Sequence, residues 1–156
     1  MQKQSISFKI KKAKQNDVLL HLTNCSDSFV PPLITRINLN DYSEKIFKNA
    51  VTFEAWKDDE LIGLIAIYFN MENHYGFITN VSVIKKYSGA GLASDLLKMC
   101  LEYAINHNST ELKLEVNKDN IIALNFYKKH NFTQISLEND SLIMNRIMNQ
   151  KKISKP

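Results

Sequence analysis

Apolar and polar residues alternate from Ser5 to Lys12, with Ile6, Phe8 and Ile10 set against polar neighbours, and this period of two predicts an edge or half-buried strand. Gln15 to Cys25 reads as a helix. Pro31-Pro32 interrupts the pattern, and Asn40 or Asp41 is expected to cap a second helix running to about Lys48, because both side chains accept from the unpaired N–H groups of a first turn. Val51 to Trp56 and Leu61 to Phe69 then read as a hairpin around the Asp-rich turn Lys57-Asp58-Asp59-Glu60. The second of these runs is apolar on both faces, which predicts a central strand.

Tyr75 to Ile84 is expected to be a strand with Phe77, Thr79, Val81 and Val83 on one face. A glycine loop follows. Leu92, Leu96, Leu97, Cys100, Leu101, Ala104 and Ile105 recur at spacings of three and four, predicting an amphipathic helix that ends near His107-Asn108. Leu112, Leu114 and Val116 alternate with polar residues in a further strand, and Asp119 or Asn120 is placed to cap a short helix to His130. Phe132 to Leu137 and Ser141 to Ile147 complete the pattern as strands. The order β, α, α, three antiparallel strands, α, β, α, β, β predicts an α/β (α+β) domain. Its mixed, mostly antiparallel sheet has six to seven strands with helices on both faces, and the connection through Leu92 to Ile105 is a right-handed crossover if its flanking strands are parallel.

Composition narrows the class without naming it. The 156 residues are 44% hydrophobic and 23% charged, the balance of an ordinary globular domain, and at this length roughly 70% of the unfolded surface can be buried. No repeat or Gly/Ser linker divides the chain, so residues 1–148 read as one domain and 149–156 as a tail. No apolar run is long enough for a transmembrane helix, and Met1-Gln2-Lys3-Gln4 lacks a signal stretch, so the expected location is cytoplasmic, with no membrane partner. Cys25 and Cys100 are far apart and lack metal-ligand spacing; no metal is expected, and Cys100 falls on an apolar stripe where a buried thiol is structural. The net charge of +4 comes from scattered lysines, not the clustered basic and aromatic pattern of a nucleic-acid binder.

Lys86-Tyr87-Ser88-Gly89-Ala90-Gly91-Leu92-Ala93-Ser94 lies between a strand and a helix start, where unpaired backbone N–H groups can converge on an anion and glycine lets the backbone approach it closely. The helix dipole adds roughly half a positive charge there, and Lys86 adds a full one. A phosphate-bearing ligand suits such a loop. A P-loop is excluded because Gly91 is followed by Leu92 and Ala93 in place of Lys and Ser or Thr. A dinucleotide loop would want Gly or Ala at Ser94; Glu115 lies at a suitable distance for a ribose contact, but the surrounding order of elements differs. On these residues alone, a turn that only starts a helix stays open.

Val81-Ser82-Val83 followed by Lys86-Tyr87-Ser88-Gly89-Ala90-Gly91 resembles the strand and Arg/Gln-x-x-Gly-x-Gly/Ala loop of the GNAT N-acetyltransferase superfamily. Asn120-Ile121-Ile122-Ala123-Leu124-Asn125-Phe126-Tyr127, continuing to Asn131-Phe132, resembles its Asn-x-x-Ala-x-x-Phe-Tyr-x-x-x-Gly-Phe segment. Lys86 stands where Arg or Gln is usual, keeping a donor but losing the planar fork. Asn131 stands where Gly is usual, and Asn tolerates the left-handed backbone next best. The specific likeness runs from about Tyr75 to Phe132.

The resemblance implies acetyl transfer from acetyl-CoA, a cosubstrate, to a primary amine, expected to belong to a small molecule, by direct attack in a ternary complex. Acetylation of a protein or peptide, or a non-catalytic CoA-binding module, are the alternatives. It further implies that Val81, Ser82 and Val83 lend backbone groups to the pantetheine arm, and that Lys86, Ser88, Gly89, Ala90, Gly91, Leu92, Ala93 and Ser94 hold the pyrophosphate. Asn120, Ala123, Phe126 and Tyr127 complete the coenzyme contacts. Ser82 reads as a structural hydroxyl or a substrate contact. Tyr127 would bond the coenzyme sulfur and protonate the thiolate; with reference pKa values near ~10 and ~8.5, full transfer is uphill by about 2 kcal/mol, so stabilisation outweighs acidity. The base that deprotonates the amine is unassigned among Glu54, Glu72, His74 and Glu115, none of which stands where the family often places a carboxylate, on the strand before the loop. Acceptor specificity is expected around Ser26 to Tyr42 and Glu138 to Ser141. Self-association as a homodimer is compatible with the sequence.

Overall fold

The computed structural model describes residues 5–148; the readings of Met1 to Gln4 and of a tail at 149–156 lie outside them. Strands β1 (Ser7–Ile10), β2 (Val51–Lys57), β3 (Glu60–Asn70), β4 (Tyr75–Val83), β5 (Glu111–Asn117), β6 (Thr133–Glu138) and β7 (Ser141–Ile147) form one sheet in the order β1-β2-β3-β4-β5-β7-β6. Every neighbouring pair is antiparallel except β4 and β5. Helices α1 (Gln15–Cys25) and α2 (Leu39–Asn49) follow β1, α3 (Leu92–Asn106) joins β4 to β5, and α4 (Ile121–Lys129) joins β5 to β6.

The apolar stripes of these helices make a core on each face of the sheet. Leu96, Leu97, Cys100 and Ala104 of α3, with Leu124 and Tyr127 of α4, pack with Phe53, Ile65, Ile67, Leu112 and Leu114. On the other face, Val18 and Leu22 of α1 and Ile46 of α2 pack with Trp56, Leu64 and Ala66. The strand β3 feeds both layers, Ile65 and Ile67 to one and Leu64 and Ala66 to the other, as expected of an apolar central strand. The thiols of Cys25 and Cys100 are buried and unbridged, and burial raises the pKa of each, to about 11 for Cys25.

Two local expectations are corrected. Helix α2 is capped by Asn38, whose Oδ1 accepts from the Asp41 N–H at 3.0 Å, so Asn40 and Asp41 fall inside the first turn. The single face expected for Phe77, Thr79, Val81 and Val83 is broken by a bulge. In the register of β3 on β4, Ala66 meets Asn80 and Ile67 meets Ile78, leaving Thr79 as an extra residue. The phase shift puts Ile78 with Val81 and Val83 on the α3 face and turns Asn80 and Ser82, both buried, towards the other. Tyr42 of α2 secures the bulge: its hydroxyl donates to the Thr79 carbonyl at 2.7 Å and lies 2.8 Å from Thr79 Oγ1.

Among the described residues no helix is long and apolar enough to cross a membrane.

Candidate functional site

At the bulge the sheet splits. Pairing of β4 with β5 runs from Tyr75 against Glu111 to Ile78 against Leu114 and stops there. Beyond that point β4 stays with β3 as far as Val83, and β5 stays with β7 as far as Asn117. Facing edges of β4 and β5 are therefore left without a strand between them. Ile84 donates its N–H to the Ile62 carbonyl, so by the alternation of backbone groups the N–H and C=O of Val83 and of Val81 point away from β3 into the split. Among the described residues these groups have no strand partner, and an extended chain bearing amides can take the place of a strand there.

The split opens into a cavity of about 770 Å³, lined by Ile78 to Val83 from β4 and Glu115 to Asn117 from β5. Ser88, Gly89, Gly91, Leu92, Ala93 and Ser94 line it at the start of α3, and Asn120, Ala123, Phe126 and Tyr127 line it from α4. The structure thus brings together all but two of the residues that the sequence assigned to coenzyme contacts. Lys86 and Ala90 are exposed and do not line the cavity. Lys86 carries its ammonium over the Tyr87 ring, 5.6 Å from the centroid, and the neighbouring Lys85 faces the cavity instead.

Gly91 caps α3 with φ 80°, and Gly89 has φ 84°. No atom would lie within 4 Å of a Cβ at either position, so glycine is required by the left-handed backbone and not by crowding. The first bond of the helix is donated by Asp95 to the Gly91 carbonyl, which leaves the N–H groups of Leu92, Ala93 and Ser94 without helical partners at the cavity wall. Ser88 Oγ is engaged, donating to the Lys85 carbonyl at 2.7 Å, and Ser94 Oγ lies 2.9 Å from His130 Nε2.

Helix α4 is capped by Asn120, which accepts from the Ala123 N–H at 3.2 Å, and it ends at Asn131 with φ 68°, the left-handed residue that closes the turn before β6. Tyr127 packs edge-on against Phe126 and Phe132 and is 8% exposed, with no hydrogen bond to its hydroxyl from the described residues. Burial raises its pKa above the ordinary tyrosine value, and the neighbouring Tyr42 adds to the rise, so Tyr127 stays a neutral donor.

On the α1 side of the bulge lies a buried polar chain absent from the sequence reading. His21 Nδ1 is 2.9 Å from the Leu61 carbonyl, His21 Nε2 is 2.9 Å from Ser82 Oγ, and Ser82 Oγ is 2.7 Å from Asn80 Oδ1, while Asn80 Nδ2 has no partner. Burial lowers the His21 pKa to about 4, so the ring is neutral at physiological pH. A carbonyl only accepts, which puts the ring proton on Nδ1 and leaves Nε2 as an acceptor for the Ser82 hydroxyl. Ser82 has one proton, so rotation of the Asn80 carboxamide satisfies the chain best: its NH2 donates to Ser82 Oγ, and its carbonyl oxygen becomes the buried end without a partner among the described residues. The sequence did carry a signal, since Val18, His21, Leu22 and Cys25 fall at helical spacing on one buried stripe.

Of the four carboxylates and histidines considered as bases, only Glu115 lines the cavity. Glu54 is fully buried elsewhere, accepting from the N–H groups of Lys12 and Ala13, the Thr52 hydroxyl and the Trp56 indole, a structural junction between β1 and β2. Glu72 and His74 are exposed in the turn between β3 and β4. From the expected specificity segments, Ser28, Phe29, Val30 and Arg36 reach the cavity and 138–141 do not.

Residues 20–132 match the model of the Acetyltransferase (GNAT) family. N-alpha-acetyltransferase 30 of Schizosaccharomyces pombe is 28% identical over 102 residues, 58% of this chain and 67% of that protein. Streptothricin acetyltransferase A of Bacillus subtilis is 35% identical over 80 residues, 51% of this chain and 46% of that protein. In fold, the chain is similar to the PaiA N-acetyltransferase of Thermoplasma acidophilum, solved in complex with coenzyme A, with a TM-score of 0.74 at 16% identity over 91% of this chain and 99% of that one.

Proposed function

The chain belongs to the acetyltransferase (GNAT) family, and on that premise we propose that it transfers an acetyl group from acetyl-CoA to the primary amine of a small molecule by direct attack in a ternary complex. The observation that carries this reading is the split between β4 and β5, whose cavity is lined both by the start of α3 with its free N–H groups and by Tyr127 of α4. Its dimensions and donors fit the group: anion-binding amides at one end, and an unpaired strand edge along the middle. Acetyl-CoA supplies an activated thioester. Leu92, Ala93 and Ser94 hold its pyrophosphate through backbone N–H groups, with Lys85 adding charge, and Val81 and Val83 bond the pantetheine amides as a strand would.

One inward N–H of β4 donates to the thioester oxygen as negative charge develops there, a contact worth on the order of 2.7–4 kcal/mol by analogy with single-donor deletions. Tyr127 donates to the sulfur as it leaves. Because its pKa is raised, the proton stays mainly on the phenol and the hydrogen bond does the stabilising. Titration calorimetry with acetyl-CoA and release of free thiol with amines test the reading. Saturable binding with amine-dependent thiol release supports it, and absence of acetyl-CoA binding contradicts it.

A further inference from the structure

The reading above, on which the following rests, assigns the coenzyme's contacts in the cavity and leaves those of the acceptor open. The cavity's charged lining is Arg36, Lys85 and Lys129 against a single carboxylate, Glu115. Lys85 lies at the start of α3, where an anion is already accounted for. Arg36 lines the cavity from the segment between α1 and α2, the segment that leads into α2, whose Tyr42 hydroxyl holds the Thr79 bulge. Thr79 and Val83 are separated by four residues of extended chain, roughly 13 Å, so Arg36 belongs to the reacting end and not to the phosphate end. It has no carboxylate partner among the described residues.

Asn80, next to Thr79 on β4, is 3% exposed and belongs to the same cavity lining, and one end of its carboxamide is unpaired among the described residues. A buried polar atom without a partner is costly, and a ligand group that completes its bonding relieves that cost. The proton count along Leu61, His21, Ser82 and Asn80 makes the free end a carbonyl oxygen, an acceptor suited to an amine N–H. Phe29, Val30 and Ile78 add apolar surface to the same cavity lining.

We propose that the acceptor is an amino acid with an apolar side chain: Arg36 donates to its carboxylate, the Asn80 carbonyl oxygen accepts from its amine, and Phe29 and Val30 cover its side chain. A polycationic amine would meet Arg36 unfavourably. A peptide N-terminus places an uncharged amide where the carboxylate belongs, and so forgoes the charge-assisted contact. The neutral amine nitrogen forms its bond to the acetyl carbon, the carbon–sulfur bond breaks, the nitrogen gives one proton to solvent, and the departing thiolate takes one proton from solvent to leave as the free thiol.

Matched pairs test this: the common α-amino acids against their C-terminal amides, with short peptides and polyamines alongside, read by thiol release on the full chain and on R36Q and N80A. The free acids with apolar side chains are expected to exceed their amides in kcat/KM on the order of tenfold or more. R36Q should raise KM for the acids alone and erase that preference, with acetyl-CoA affinity by calorimetry unchanged. N80A should weaken acids and amides alike, because it holds the amine they share. Amides, peptides or polyamines used as well as the acids, or R36Q acting equally on acids and amides, would overturn the inference. So would acetyl-CoA binding with no thiol release from any acid. Absence of acetyl-CoA binding would instead overturn the proposed function.

Discussion

At the scale of single residues, Tyr127 and His21 show burial acting on titratable groups in opposite directions. Burial holds the Tyr127 phenol neutral, so its contribution is a hydrogen bond in place, not acidity. Tyr127→Phe is expected to lower kcat on the order of a hundredfold while leaving acetyl-CoA affinity near its starting value; steady-state rates and calorimetry on the same preparation check both. His21 is held neutral, with its pKa lowered to about 4. An unfolded chain protonates this ring near pH 6.5, so between those values the unfolded state binds more protons and stability falls as the pH falls. The full loss below about pH 4 is about 3 kcal/mol, and denaturant titrations across that window should show a slope that His21→Gln flattens.

The elements carry the next level of consequence. Gly91 gives α3 a left-handed cap, with open space around it, so Gly91→Ala meets no clash but places a Cβ in a disfavoured backbone. The expected result is a stability loss of about 1 kcal/mol together with weaker acetyl-CoA binding, as the free N–H groups of Leu92 to Ser94 are re-aimed. Thermal denaturation and calorimetry measure the two parts. Tyr42→Phe removes the donor to the Thr79 carbonyl and is expected to cost about 1–3 kcal/mol, measured by denaturant unfolding. Much of the element pattern was legible because periodicity reports burial: α1 and β7 have the bounds that their patterns predict. The Thr79 bulge was not, since inserting one residue into a ladder changes no local composition yet reverses which side chains face which core. The cap of α2 was misplaced for a related reason. Asn38, Asn40 and Asp41 are all competent caps, and only the path of the preceding turn selects among them.

At the scale of the whole molecule, the sheet is a frame that opens at one point. Seven strands are held by helices on both faces, while β4 and β5 share only their first four rungs. The loop and α4 residues of the candidate site were readable because their motifs are continuous in sequence. The proposed acceptor end was not, because Arg36 and Asn80 come from a connecting segment and a strand far apart in sequence, while His21 and Tyr42, which bond Ser82 and Thr79 of that strand, come from two helices. Glu54 shows the converse: a carboxylate attractive in sequence is consumed by four structural donors and does not line the cavity. The central claim is that the split between β4 and β5 receives acetyl-CoA along the inward amides of β4. Amide hydrogen exchange, followed residue by residue with and without acetyl-CoA, tests it most directly. The account predicts slowed exchange at Val81 and Val83 and at Leu92 to Ser94 when acetyl-CoA is bound. Saturable binding that leaves all of these amides unchanged would contradict it.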